Sequence, residues 1–232
     1  MPPQSQPLHP RRALPIALEW MRDDPVVLLE GSRSVGKSTL LREIASAADG
    51  VLIDLDDPGV RDAVTADPAL FVQGNRLVCI DEYQKAPVVL DAIKAELNQR
   101  TTPGRFVLAG SVRHDALPAA AQALTGRLSR LHVFPLSQGE LSGVHENLLD
   151  AIANNPLAVV TPTLSTTSRA DYIERIVRGG FPLAVGASTA AARRRWIDAY
   201  VRLSLERDVR ELSRLRQGHL LEGLLGRLAG QT

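Results

Sequence analysis

The sequence predicts an α/β protein: a parallel sheet flanked by helices, followed by a helical C-terminal region. Three observations carry this. Short apolar runs of strand length alternate with segments of helical periodicity between residues 26 and 134. The runs Val26–Leu29 and Leu77–Ile80 are apolar throughout, as in strands covered on both faces. From Ser168 onward the spacing is helical.

The elements follow in order. Residues 1–10, rich in proline, are expected to be a disordered tail. A first helix places Leu14, Ala17, Leu18 and Met21 on one face. Val26–Leu29, between Pro25 and Gly31, reads as a buried strand. Lys37–Ala48 has helical spacing through Leu40, Leu41, Ile44 and Ala47, and Gly50 ends it. Val51–Leu55 is a second strand, closed by Asp57-Pro58-Gly59. A short helix and a turn lead to a third strand, Leu77–Ile80, which ends at Asp81-Glu82. A helix starting near Pro87, a fourth strand at Arg105–Leu108, a fifth near Leu131–Phe134 and a helix after Pro135 complete a domain spanning residues 11–150. Residues 151–167, small and polar, are expected to be a linker or mobile loop before a helical region at 168–232. That region holds twelve arginines against seven acids, consistent with a solvated helical face carrying pairs such as Glu206–Arg210.

Composition narrows the function. The net charge of +1 predicts no polyanion partner from bulk charge alone. The single cysteine, Cys79, lies in an apolar run and reads as a small buried hydrophobe; it excludes an internal disulfide and a thiolate cluster. The five histidines lack paired ligand spacing, so no zinc site is assigned. Glu19, Arg22 and Asp23 interrupt the only N-terminal apolar run, so no signal, membrane span or membrane partner is expected and the location is read as cytoplasmic.

The chemistry centres on Gly31-Ser32-Arg33-Ser34-Val35-Gly36-Lys37-Ser38, which fits G-x-x-x-x-G-K-[ST] between a buried strand and an amphipathic helix. Glycines let successive backbone N–H groups converge on phosphate oxygens, and the helix N-terminus beginning at Lys37, Ser38 and Thr39 adds positive potential. Lys37 is expected to bridge β- and γ-phosphates of ATP, and Ser38 to place its hydroxyl on Mg²⁺. A magnesium–nucleotide site also needs an acid at the end of a neighbouring strand. Asp81, forty-four residues after Lys37, fills that position, and Glu82 is placed to orient or deprotonate water. Ser111, after Gly110, is a candidate γ-phosphate contact on the strand between loop and acid; Gln84 is a further candidate to orient water or a plain surface residue.

The segments "VVLLEGSRSVGKSTLL", "LIDLDDP", "CIDEYQKAP", "GRFVLAGSV", "LTGRLSRLHVFPLSQGEL", "RGGFPLA" and "RRRWIDAYVRLSLERDVREL" occur in an order that resembles the prokaryotic AAA-type P-loop ATPases with a C-terminal domain of unknown function. That family is similar to archaeal ATPases and to signal-transduction NTPases with numerous domains. The resemblance implies a P-loop NTPase sheet of AAA type, then helices and a winged-helix-like region. It gives Lys37, Ser38, Asp81 and Glu82 their usual roles and Ser111 the first-sensor role. Arg127 becomes a candidate to neutralise transition-state charge, from this or a neighbouring subunit, with a purely structural arginine as the equal alternative. Pro182, in Gly179–Pro182, resembles the Gly-x-Pro element through which a second domain contacts nucleotide, or ends a helix. The family's C-terminal region continues past Thr232, so the winged-helix part is expected to be incomplete, exposing Leu220, Leu221, Leu224, Leu225 and Leu228.

Two functions follow as expectations. One is a Mg-dependent ATP hydrolase whose nucleotide state alters the C-terminal helices. The other is a nucleotide-gated switch with little turnover that binds DNA or protein. Homo-oligomerisation is compatible with both. A small-molecule kinase leaves Glu82 unexplained, and GTP specificity is disfavoured because no N-K-x-D follows a later strand.

Overall fold

The computed structural model describes residues 9–110, 124–145, 147–160, 166–204 and 218–230. The chain divides into two compact units, Met1–Ser165 and Thr166–Thr232.

The first unit is built on five parallel strands: β1 (Val26–Glu30), β2 (Val51–Asp54), β3 (Val78–Asp81), β4 (Phe106–Ala109) and β5 (Leu128–His132), in the spatial order β2-β3-β4-β1-β5. The strands β1, β3 and β4 are buried at every position. This accounts for the unbroken apolar runs Val26–Leu29, Val78–Ile80 and Phe106–Ala109: with helices on both faces, alternation has no reason to appear. Strand β5 starts three residues earlier than its most apolar stretch suggests. Its pairing with β1 begins at Val26↔Leu128, and Arg130 and Ser129 are carried into the strand by that register.

One face is packed by α2 (Lys37–Ala47), which buries Leu40, Leu41, Ile44 and Ala45, and by α1 (Ala13–Trp20), which turns Ala17 inward; Met21, directly after it, is buried too. The other face carries α3 (Pro58–Ala66), α4 (Pro68–Val72) and α5 (Val88–Gln99); Val64, Val72, Val89, Leu90, Ile93 and Leu97 close over Leu28, Ile80, Phe106 and Leu108. Fully burying one such aliphatic side chain contributes about 1.5–3 kcal/mol. Local signals hold the ends. Asp57 accepts from the backbone N–H groups of Gly59 and Val60, at 2.7 and 3.2 Å, with Pro58 at the first helical position. After β5, Ser137 and Glu140 form a capping box at α6 (Gln138–Ser142). Two helices run into the stretch 151–167 expected to be a linker: α7 (Leu148–Asn154), capped by Asn147 and beginning before that stretch, and α8 (Pro156–Val159). The asparagine cap and Pro156 are the local reasons, and they were hidden in a composition that reads as loop.

The second unit is helical: α9 (Arg169–Arg178), α10 (Pro182–Val185), α11 (Ala190–Leu203) and α12 (Gly218–Ala229). Ser168 with Asp171, and Thr189, cap the N-termini of α9 and α11. Phe181 packs on Trp196 and Tyr200, with ring centroids 5.6 and 4.8 Å away, so the Gly179–Pro182 segment is anchored by aromatic stacking within its own unit. Pro182 occupies the first turn of α10. Leu224 and Leu228 are exposed, as are Ile173, Ile176 and Val177; the side chains of Leu220, Leu221 and Leu225 and the pair Glu206–Arg210 lie outside the described residues. No described helix is long and apolar enough to cross a membrane.

Candidate functional site at the carboxyl ends of the strands

Parallel strands put all their carboxyl ends on one rim, and the polar residues of the sequence converge there. Register fixes the level: Asp81 pairs with Ala109, and Ala109 pairs with Leu29, so the acid on β3 stands level with a residue of β1 two positions before Gly31. Strand β4 lies between them, as expected for the strand leading to Ser111; Ser111 itself lies outside the described residues.

Residues 31–36 leave β1 in conformations that ordinary side chains resist. Gly31 has φ +148° and Gly36 φ +98°, while Ser34 takes a left-handed φ of +61°. Gly31 is also a steric necessity: a Cβ there would stand 2.3 Å from the Val133 carbonyl oxygen. Val35 is fully buried, which pins the loop's apex side to the core.

Lys37, at the start of α2, is buried and donates from Nζ to the carbonyl oxygens of Gly31 and Ser32, at 2.9 and 2.8 Å. Burial pulls its pKa below the usual lysine value, and the nearby Glu82 and Asp81 carboxylates pull it back up, against Arg33. The amine of residue 37 and both carboxylates therefore share one electrostatic environment. Ser38 closes the circuit with a side-chain hydrogen bond to Asp81. The Asp81 carboxyl is buried, and that burial pushes its pKa up; bonds from Ser38 and the Glu82 backbone N–H, the latter 3.0 Å, oppose the rise. A buried carboxylate joined to a hydroxyl is an oxygen donor set, the type that suits a hard divalent cation such as Mg²⁺. Thr39, half-buried, follows on the first turn.

Glu82 breaks from the strand with φ +51° and ψ +42°, a left-handed backbone at a non-glycine residue. Its carboxylate accepts a hydrogen bond from the Gln84 amide. Gln84 in turn lies against Gly110, where a Cβ would meet its Oε1 at 2.3 Å and the Tyr83 ring at 2.9 Å. A side chain at 110 would therefore displace the Gln84 amide and crowd the buried Tyr83 ring.

Arg127 is not brought to this rim. It precedes β5, its carbonyl accepts from the Val26 N–H at the start of β1, and its guanidinium donates to Asn98 at 2.7 Å. In a parallel sheet that is the amino end, about 16 Å from the loop across a five-residue strand. Its contact here is structural. Pro182 belongs to the second unit.

Sequence reading missed Arg11. It is buried, and its guanidinium donates to the carbonyl oxygens of Val35, at 3.0 Å, and Phe134, at 2.6 Å, and pairs with Glu140 at 3.3 Å. The paired arginines in "HPRRALP" were the only signal, and paired arginines are ordinarily surface residues.

Residues 23–142 match the family model described as an AAA domain. The chain belongs to the AAA domain family. Residues 169–232 match a domain of unknown function (DUF8612). The chain is 31% identical over 189 residues to an uncharacterized protein of Mycobacterium tuberculosis and to one of Mycobacterium bovis, a stretch covering 81% of this chain and 37% of each relative. It therefore spans little more than a third of the length of the curated relatives it matches. Among solved structures, it is similar to the Walker-type ATPase PABY2304 of Pyrococcus abyssi (16% identity, TM-score 0.46, 97% of this chain and 77% of that one). It is also similar to a Signal Transduction ATPase with Numerous Domains from Pyrococcus horikoshii that carries a tetratricopeptide repeat sensor (14% identity, TM-score 0.42, 77% and 29%). Membership of the AAA domain family supports nucleotide binding and ATPase activity in general terms.

Proposed function

We propose that this chain binds ATP with Mg²⁺ and hydrolyses it, and that nucleotide state is passed to the C-terminal helices. The observation that carries the reading is the meeting of buried Lys37 and Asp81 with half-buried Ser38 and Glu82 in one electrostatic cluster at the carboxyl rim. Backbone N–H groups of residues 31–36 and the first turn of α2 would receive the phosphates, with Lys37 adding a compact positive charge. Ser38 and Asp81 would hold the metal, which supplies charge neutralisation on the phosphate oxygens. Glu82, released from the strand by its left-handed backbone, would take the proton of the attacking water; the water oxygen bonds to the γ-phosphorus as the bond to ADP breaks. Ser111 remains the proposed γ-phosphate contact and Pro182 the proposed link to the second unit.

The bond from Gln84 to Glu82 favours a second reading, a nucleotide-gated switch with low basal turnover acting on a protein or DNA partner, because the base is already engaged. The Glu82→Gln variant tests the main reading. It should bind MgATP as the wild type does and turn over about 10²–10⁴-fold more slowly. Unchanged phosphate release in a coupled assay rules out Glu82 as the base, and binding that survives Lys37→Ala removes the phosphate site.

A further inference from the structure

We propose that Arg11 is a positioning residue for the 31–36 loop: by gripping the Val35 carbonyl it sets the orientation of the peptide that presents the Gly36 N–H to phosphate. This rests on the proposed function and names a residue outside the phosphate-binding motif on which that site depends.

The argument starts from the peptide plane. In a trans peptide the carbonyl of one residue and the N–H of the next point in opposite directions, and the plane turns as a unit. Arg11 Nη1 holds the Val35 oxygen at 3.0 Å on the core side, so the Gly36 N–H faces the other way. Gly36 has φ +98°, a conformation with little intrinsic restoring force because glycine visits many alternatives. Such a peptide flips readily unless something fixes one end. Arg11 is itself immobilised, by Phe134 on its second terminal nitrogen and by Glu140 on Nε. The neighbouring Arg12 repeats the attachment, its backbone N–H donating to Glu140 at 2.9 Å and its guanidinium to the Val144 carbonyl at 2.8 Å. Glu43, on α2, lies within the field of Arg11, whose positive charge opposes the rise in the Glu43 pKa that burial causes. A planar fork reaches two carbonyls and a carboxylate at once; a lysine ammonium on the same stem does not. A single buried side chain thereby joins the start of the chain, the glycine loop and the segment after β5.

The test uses the full chain. MgATP affinity is measured by titration with a fluorescent ATP analogue, steady-state KM and kcat by phosphate release, and fold by circular dichroism melts, for wild type, Arg11→Lys and Glu140→Gln. Arg11→Lys should keep the wild-type spectrum, weaken affinity and raise KM by about tenfold or more, and leave kcat within about threefold, because only binding amides are disordered. Glu140→Gln, which leaves both carbonyl contacts in place, should lower the melting temperature with affinity within about twofold. Folded Arg11→Lys with wild-type affinity overturns the role. So does equal loss in both variants, a parallel collapse of kcat and stability, or an Arg11→Lys chain that does not fold; each assigns Arg11 to architecture alone. A wild-type chain that does not bind MgATP sinks the proposed function and this inference with it, whereas wild-type binding with unaltered Arg11→Lys sinks only the inference.

Discussion

Replacing Gly31 by alanine should damage the fold and the nucleotide site together, and the size of the damage can be worked out. The new Cβ would stand 2.3 Å from the Val133 carbonyl oxygen, about 1 Å inside ordinary carbon–oxygen contact. The neighbour is backbone, held in place by the 2.7 Å bond from the Val133 N–H to the Glu30 carbonyl, so it has no rotamer with which to yield. The φ of +148° adds a conformational penalty of about 1–3 kcal/mol for a residue with a Cβ. Losing or stretching the Val133–Glu30 bond adds about 1 kcal/mol. The sum is about 2–4 kcal/mol, or a fall in Tm of about 4–16 °C for a domain of this size. Gly126→Ala is the matched control. Its φ is +81°, but nothing lies within 4 Å of its Cβ, and it sits at the opposite rim, so it should cost only about 1–2 kcal/mol and leave ATP affinity unchanged. Thermal melts and ATP titrations of both variants decide the matter. If Gly31→Ala melts with Gly126→Ala and binds ATP like the wild type, the crowding of β1 against the segment after β5 does not constrain the loop.

Two further outcomes follow from the site. Burial raises the Asp81 pKa in the fold, so the folded state binds this proton more tightly than the unfolded chain; its contribution therefore weakens stability as pH rises from the ordinary carboxylate range through the folded pKa. Asp81→Asn should raise Tm at neutral pH and flatten that slope in melts run from pH 4 to 8, while reducing Mg-dependent phosphate release by at least about 10²-fold. Arg127→Ala should leave turnover of the monomer within about twofold, since its guanidinium binds Asn98 at the amino rim; loss of turnover only in concentrated samples would instead mark a contribution from a second copy.

The parts of the fold that were readable in the sequence were those whose cause is local. An apolar run, two glycines, a lysine and an amphipathic period are contiguous in residues 26–45, and each has a physical reason to be where it is. Asp81 was readable for a related reason: a charged residue ending a run of buried aliphatics must stand at a rim. Arg127 shows the limit. Its neighbours resemble a motif, but which rim it occupies depends on where β5 begins, and that is set by pairing with β1 rather than by the hydrophobic maximum. Arg11 shows the same limit from the other side. Its partners at Val35, Phe134 and Glu140 are backbone and a capping acid, none of which advertises a need for a guanidinium. The helices at 148–159 were obscured because asparagine and proline mark both loops and helix starts.

The position of β1 bears on how the molecule is assembled during synthesis. It lies between β4 and β5, both of which are translated long after it, and Arg11 waits 123 residues for the Phe134 carbonyl. At ribosomal rates of about 5–20 residues per second, the 98 residues from Gly36 to Phe134 take about 5–20 s, during which the glycine-rich turn has been made without its frame. Nascent chains arrested before residue 134 should thus carry every residue of the motif and yet hold no triphosphate, so that competence is acquired in one late step.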